Sequence, residues 1–395
     1  MVIVYDIVIH ILSKLPSESL LRFKSVCRSW YALINHHKFV TKHLLNSFSH
    51  KHVLLKRVII NNSGKKEHVL SILEFSLDRS VSSVLDVPLP FNENPPNVPL
   101  PFRENLPDLQ INGHSHGLIC IGCDNNRDIF LCNPMTRQVR KLPSTSIFVV
   151  HEPHDVYLKP RIVGFGYDVK CGDFKVVRVV GFSRGVVYYP SRVEIYDLRK
   201  DRWREIKTFV DACSICMSSF DIYHEGTFYW MGINGLSEEE VILTFNMSRE
   251  VFEKISIPES FHLSNYTEDY RSLVVLNGFL RIFSYPAFQR NEKAFEIWET
   301  EMDGSNVVSW SKLWTIGPLF GIEYPLLFLS SNELLIEAKE GQIILYDCKT
   351  QQVKELQVRS EAICEGDTSN RFEGTNLFVK SLISVEGGYN LSYEL

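Results

Sequence analysis

One unit recurs along most of this chain: an apolar run ending at Asn or Asp, a short polar turn, and a second run opening on an aromatic or branched residue. Ile129-Phe-Leu-Cys-Asn133 through Val139-Arg-Lys-Leu142 is the clearest copy. Val193-Glu-Ile-Tyr-Asp197 through Trp203-Arg-Glu-Ile206 repeats it, as does Ile242-Leu-Thr-Phe-Asn246 through Phe252-Glu-Lys-Ile255. Ile343-Ile-Leu-Tyr-Asp347 through Val353-Lys-Glu-Leu356 is a further copy, and Phe295-Glu-Ile-Trp298 through Trp310-Ser-Lys-Leu313 fits with a longer turn. Asn and Asp suit the turn because their side chains bond the backbone two residues on and tolerate left-handed φ. Each unit therefore reads as a β-hairpin.

Matching apolar segments lie between the copies: Gly117-Leu-Ile-Cys-Ile121, Val176-Val-Arg-Val-Val180, Gly226-Thr-Phe-Tyr-Trp230, Gly278-Phe-Leu-Arg-Ile282 and Glu333-Leu-Leu-Ile-Glu337. Two hairpins per unit make a four-stranded blade, and a period of about 50 residues is near that of a kelch-like propeller. The paired glycines of kelch repeats are absent. A further blade combines His52 to Leu77 with a closing strand over Leu377 to Val385, which removes exposed edges. The expectation is an all-β, kelch-like propeller of about six blades over residues 50–385, with a flexible tail at 386–395. Hydrophobic residues at 45% and aromatics at 12% agree with a well-packed, sheet-rich protein.

The first 45 residues follow another period. Ile7, Val8, Ile11 and Leu12 recur at helical spacing, and Leu15-Pro16 ends that helix. Pro16, which lacks an N–H, suits the first turn of the next helix. Leu20, Leu21 and Phe23, then Val26, Trp30, Leu33 and Ile34, then Phe39, Val40 and Leu44 form further stripes. So short an all-α module cannot bury this many large apolar side chains within itself. A partner must cover the rest.

The stretch from Leu15 to Ile34, with Ser19-Leu20-Leu21-Arg22-Phe23-Lys24 and Ser29-Trp30 before Leu33-Ile34, resembles a plant F-box. The usual first Leu-Pro is missing, and Ile3-Val4 stand in its place. The remainder resembles the F-box-associated domain through Asn112-Gly-His-Ser-His-Gly117-Leu, Cys132-Asn-Pro-Met-Thr-Arg137, Gly164-Phe-Gly-Tyr167 and Phe174-Lys-Val-Val177. Trp310-Ser-Lys-Leu-Trp-Thr-Ile-Gly-Pro-Leu319 and Phe378-Val-Lys-Ser-Leu382 complete the set, which looks most like the S-locus F-box proteins of self-incompatible plants.

The resemblance implies a non-catalytic substrate receptor of an SCF-type ubiquitin ligase, in the cytoplasm or nucleus. Its F-box at residues 1–45 would dock on a SKP-family adaptor, which links to cullin and a RING subunit. The residues expected to dock are Ile7, Ile11, Leu15, Pro16, Leu20, Leu21, Phe23, Val26 and Trp30. Some of these must instead fill the module's own core, and sequence does not divide them. A ligase-independent binding module and a propeller enzyme are the rival classes.

Charge is unevenly spread. Residues 1–57 carry a balance of +7 and the remainder −12. Acidic positions Glu238, Glu239, Glu240, Glu268 and Asp269 are the expected target-facing residues, suited to steering a basic protein. In the S-locus family that target is a secreted ribonuclease. The basic residues of the first segment lie on amphipathic helices and read as a solvated face, not a nucleic-acid site.

Other features carry blander readings. Asp6 and His10 interrupt the apolar opening, and no run is long enough to span a bilayer as a helix. Cys120-Ile-Gly-Cys123 and Cys213-Ser-Ile-Cys216 could form a zinc site, but residues i and i+3 of a strand face opposite ways, favouring reduced, buried thiols. His151-Glu-Pro-His154-Asp155 lies in an expected loop, and His114-Ser-His116 reads as structural. No phosphate loop, nucleophile elbow or metalloprotease helix is present, so no cofactor or metal is expected. Val87-Pro-Leu-Pro-Phe91-Asn-Glu-Asn recurs as Val98-Pro-Leu-Pro-Phe102-Arg-Glu-Asn, a tandem copy expected to stay out of any ladder as a surface loop or a docking peptide.

Overall fold

The computed structural model describes residues 2–49, 52–89, 109–123, 128–145, 157–184, 187–208, 222–233, 239–258, 261, 269–276, 278–286, 292–303, 306–362, 372, 375–387 and 391. Four short helices open it: α1 Val2–Leu12, α2 Ser17–Phe23, α3 Arg28–Asn35 and α4 His37–Ser47. Pro16 is the residue before α2, not its first turn: at φ −56° and ψ 146° it is extended, and its carbonyl accepts the Leu20 N–H at 3.2 Å. His36, at φ −71° and ψ 130°, ends α3 and begins α4, so the two helices meet at a corner.

Six four-stranded antiparallel sheets follow. The first holds β1 His52–Ile60, β2 Lys66–Phe75 and β3 Val81–Pro88. The second is β4 Leu109–Ser115, β5 Leu118–Cys123, β6 Asp128–Asn133 and β7 Gln138–Lys141. The third is β8 Tyr157–Asp168, β9 Asp173–Arg184, β10 Val187–Asp197 and β11 Arg202–Ile206. The fourth is β12 Ile222–His224, β13 Thr227–Ile233, β14 Glu240–Asn246 and β15 Val251–Ser256. The fifth is β16 Asp269–Leu276, β17 Phe279–Pro286, β18 Glu292–Asp303 and β19 Asn306–Phe320. The sixth is β20 Ile322–Ser330, β21 Glu333–Ala338, β22 Gln342–Asp347 and β23 Val353–Arg359. A last strand, β24 Asn376–Phe378, returns to pair with β1 and supplies the first blade's missing strand.

The chain is thus a four-helix module followed by a six-bladed propeller, and every hairpin and inner segment read from the sequence takes part in strand pairing in it. Inner strands read as unbroken apolar runs because both faces of a blade are covered. In β9, Val176 faces blade two while Val177 and Val179 face blade four. In β21, Leu335 faces blade one while Leu334 and Ile336 face blade five. Six apolar clusters join successive blades and close the ring. The first strands β4, β8, β12, β16, β20 and β24 neighbour one another along the axis.

Chain direction then sorts the two ends of the propeller. The tight turns β4–β5, β6–β7, β8–β9 and their equivalents lie at the end where each first strand finishes. The F-box enters β1 at that same end. The connections β3–β4, β7–β8, β11–β12, β15–β16 and β23–β24 leave from the opposite end.

Three expectations change. The closing strand ends at Phe378, and residues 379–387 continue as an extended strap outside any ladder. Leu391, within the expected flexible tail, is fully buried. Val87 and Pro88 do join a ladder, opposite Leu70 and Val69. Proline is tolerated there because β3 is an edge strand. The rest of the tandem repeat, residues 90–108, lies outside the described residues.

The β4–β5 turn is two residues long, with φ of 54° at His116 and 85° at Gly117, as a twisted hairpin requires. A Cβ on Gly117 would stand 2.8 Å from the Val379 carbonyl oxygen and nearer still to the Ser381 side chain. Gly226, at φ 77° in the β12–β13 turn, has open space around it. Gly226→Ala is therefore expected to cost about 1–2 kcal/mol, the left-handed penalty alone. Gly117→Ala adds a clash and should cost clearly more, measured by urea unfolding of both variants.

Candidate functional site

The nine residues expected to dock divide by burial. Ile7 (53% exposed) and Ile11 (55%) sit one turn apart on the outer side of α1, and Val26 (61%) projects from the turn before α3. Pro16 is exposed as well. Leu15, Leu21, Phe23 and Trp30 are half-buried, with the Phe23 and Trp30 rings edge-on at 5.3 Å. Leu20 is fully buried among Leu12, Leu33, Ile34, Phe39, Val40 and Leu44. It fills the module's core and offers nothing to a partner. Tyr31, 57% exposed on α3, was not anticipated. Its place beside Trp30 was the available signal.

A second locus emerges where the F-box meets the propeller. The helical core is continuous with the contact between blades two and three and with strap residues Leu382, Ile383 and Val385. Asn133 donates through Nδ2 to the carbonyls of Ile383 (2.6 Å) and Ser381 (3.2 Å), while its Oδ1 accepts the Met135 N–H at 2.9 Å to form the expected turn. The Leu391 N–H donates to the Tyr167 hydroxyl at 2.7 Å. His116 lies against Tyr167 (4.9 Å), Phe174 (5.9 Å) and Phe48 at the end of the F-box (5.9 Å). Burial, with His114 beside it, pushes its imidazole down to about 4, so it is a neutral packing ring at neutral pH.

The strap's Lys380 ammonium donates to Glu18 on α2 at 2.6 Å and to Glu74 on β2. His52 lies 3.3 Å from Glu74. Burial acts to raise the Glu18 and Glu74 carboxyls, but bonds to Lys380 outweigh it and hold both below their ordinary value. Burial likewise acts to lower Lys380, and the two carboxylates lift it above. All three are charged at neutral pH. Sequence reasoning overlooked this cluster because Lys380 is separated from Glu18 and Glu74 by hundreds of positions.

The expected acidic target face is only partly in view. Glu238 and Glu268 lie outside the described residues, as do the side chain of Asp269, Cys213, Cys216 and His151 to Asp155. Glu239 is exposed at the end where the long connections leave. Glu240 is not free to meet a target. It opens β14 and is ion-paired with Arg271 of the next blade. Cys120 and Cys132 are buried on facing strands, and burial pushes the Cys132 thiol up to about 12. No group of three or more His, Cys, Asp or Glu side chains is placed for metal binding among the described residues. Nor is any described helix long and apolar enough to cross a membrane.

The structure is a helical module with exposed apolar side chains, fixed to one end of a propeller whose long connections leave from the other. The chain belongs to the family of the F-box associated beta propeller domain, whose model matches residues 65–385, and the F-box domain model matches residues 3–42. It is similar to Arabidopsis thaliana F-box protein At5g49610, 26% identical over 362 residues spanning 89% of this chain and 90% of the relative. F-box/kelch-repeat protein At3g23880 of the same plant is 28% identical over 342 residues, 86% of each chain. F-box protein CPR1 is 26% identical over 384 residues, 90% of this chain and 84% of that one.

The burial difference separates two substitutions on the F-box. Leu20→Ala opens a cavity and should destabilise the module by about 2–5 kcal/mol. Ile11→Ala, on an exposed surface, should change stability by less than about 0.5 kcal/mol. Thermal unfolding followed on the helical signal distinguishes them.

Proposed function

We propose that this chain is the substrate-recognition subunit of an SCF-type ubiquitin ligase. Its F-box docks a SKP-family adaptor through Ile7, Ile11, Pro16, Val26 and the half-buried Leu15, Leu21, Phe23 and Trp30. The adaptor brings cullin and a RING subunit, and the far end of the propeller holds a target protein in the cytosol or nucleus. The contribution of this chain is effective concentration and orientation, while bond chemistry resides in other subunits. One observation carries the reading: within the short helical module of residues 2–47, Ile7, Ile11, Val26 and Tyr31 are each more than half exposed.

Co-purification of the full chain with the adaptor is the direct test. A carboxylate at an apolar contact is left unpaired, so Ile7→Asp with Ile11→Asp should abolish capture by the adaptor while the propeller stays folded. Undiminished capture by that double variant sinks this docking surface. Failure of the unaltered chain to bind any adaptor favours a ligase-independent binding module.

For the target we propose a basic protein, of the kind represented by the secreted ribonucleases of the S-locus branch. The −12 balance outside the first 57 residues supports this. Glu240 is set aside because Arg271 already neutralises it. With a basic ribonuclease as probe, Glu239→Lys should slow association and flatten its salt dependence. Equal on-rates at low and moderate salt for both forms would count against electrostatic steering.

A further inference from the structure

The F-box is joined to the propeller covalently by the passage from Phe48 to β1, and by apolar packing. Neither sets an angle firmly. Apolar contact is non-directional, so two domains joined in this way can rock over one another without losing buried area. Hydrogen-bonded ion pairs are directional, and Lys380 makes two of them with different bodies. Its ammonium is one-tenth exposed. One partner, Glu18, stands in the first turn of α2, and the other, Glu74, stands near the end of β2. Glu74 is itself held by the Ser83 hydroxyl of β3 at 2.8 Å and by His52 of β1 at 3.3 Å.

The strap that carries Lys380 is equally constrained. The next residue, Ser381, has its carbonyl bound by Asn133, and its side chain occupies the space a Cβ on Gly117 would take. Four residues on, Arg140 reaches the Val385 carbonyl at 3.4 Å and the Glu386 carboxylate at 3.2 Å. Lys380 is thus a cation set on a backbone that blade two holds in place, with one carboxylate on the propeller and one on the F-box. A buried ammonium between two carboxylates contributes little net stability, because desolvation offsets attraction. What it supplies is a preferred geometry.

We propose that Lys380 is a positioning residue that locks the angle between the adaptor-binding surface of the F-box and the far end of the propeller. The proposal deepens the ligase reading and rests on it for its purpose. In a ligase the bridge between adaptor and target sets which lysines come within reach of the ubiquitin donor, and small displacements there are costly. Glu18 and Lys380 lie outside the set of residues assigned to adaptor docking, so the lock can be opened without touching that surface.

The test uses the full chain assembled with adaptor, cullin, RING subunit and a ubiquitin-charged conjugating enzyme, with the chain's own lysines as the acceptor. Three quantities are compared for the unaltered chain, Lys380→Met, Lys380→Arg and Glu18→Gln: adaptor affinity, amide exchange, and the map of lysines that acquire ubiquitin. Lys380→Met and Glu18→Gln should leave adaptor affinity within about twofold while amides of α2 and residues 379–387 exchange about tenfold faster or more. Their lysine map should spread to additional sites, and Lys380→Arg should keep the original map. Unchanged exchange and an unchanged map in both variants overturn the lock. If Lys380→Met does not fold, Glu18→Gln, which keeps the side-chain shape, decides by the same readouts. If the unaltered chain binds no adaptor, the ligase reading falls, and amide exchange alone then upholds or overturns the lock.

Discussion

Three residues of β24, Asn376 to Phe378, pair with His52 to Leu54 of β1, and the rest of the molecule depends on that ladder. Blade one builds only three strands from consecutive chain, so without β24 its inner edge is open. Each blade also relies on both neighbours, because both faces of its inner strands are apolar. An opening at any point exposes two such faces to water. Phe378, fully buried in the cluster between blades one and two, ties the closing strand into the same apolar system.

The hairpins were legible because their signals are local. An Asn at position 133 or 246 accepts backbone N–H groups two and three residues on, and such a turn needs no distant partner. Helical stripes were legible in the same way, but a stripe states periodicity and not which neighbour covers it. Leu20 and Ile11 belong to equally apolar stripes, yet one is sealed inside and the other faces outward. The strap from 379 to 385 illustrates the converse. Its apolar residues suggested a strand, whereas they fill the seam between the helices and blades two and three. Glu240 reads from the sequence as a target-facing acidic residue because Arg271, on the next blade, is invisible to local inspection.

Most of the short motifs that carried the family resemblance meet at this seam, although Trp310 to Leu319 lies on β19 of blade five. Gly117 lets the strap approach, Asn133 binds its carbonyls, Tyr167 accepts the Leu391 N–H, and Ser381 belongs to the strap itself. Their chemistry is small side chains and backbone hydrogen bonds, the means by which segments far apart in sequence are held at fixed spacing. None of these four residues lies at the end of the propeller from which the long connections leave.

Closure by residues 376–378 also has a consequence in time. A polypeptide emerges from the ribosome in order, and domains generally fold as they appear, so the F-box helices are exposed long before β24 has been made. Pairings that span most of a sequence form late. During that interval the helices lack the strap that covers part of their apolar surface, and the unfinished ring lacks its last strand. A chain interrupted before residue 376 would keep an F-box without a closed propeller beneath it. Completion of synthesis is thus coupled to a defined spatial relation between the two ends of the molecule, and only the finished chain carries it.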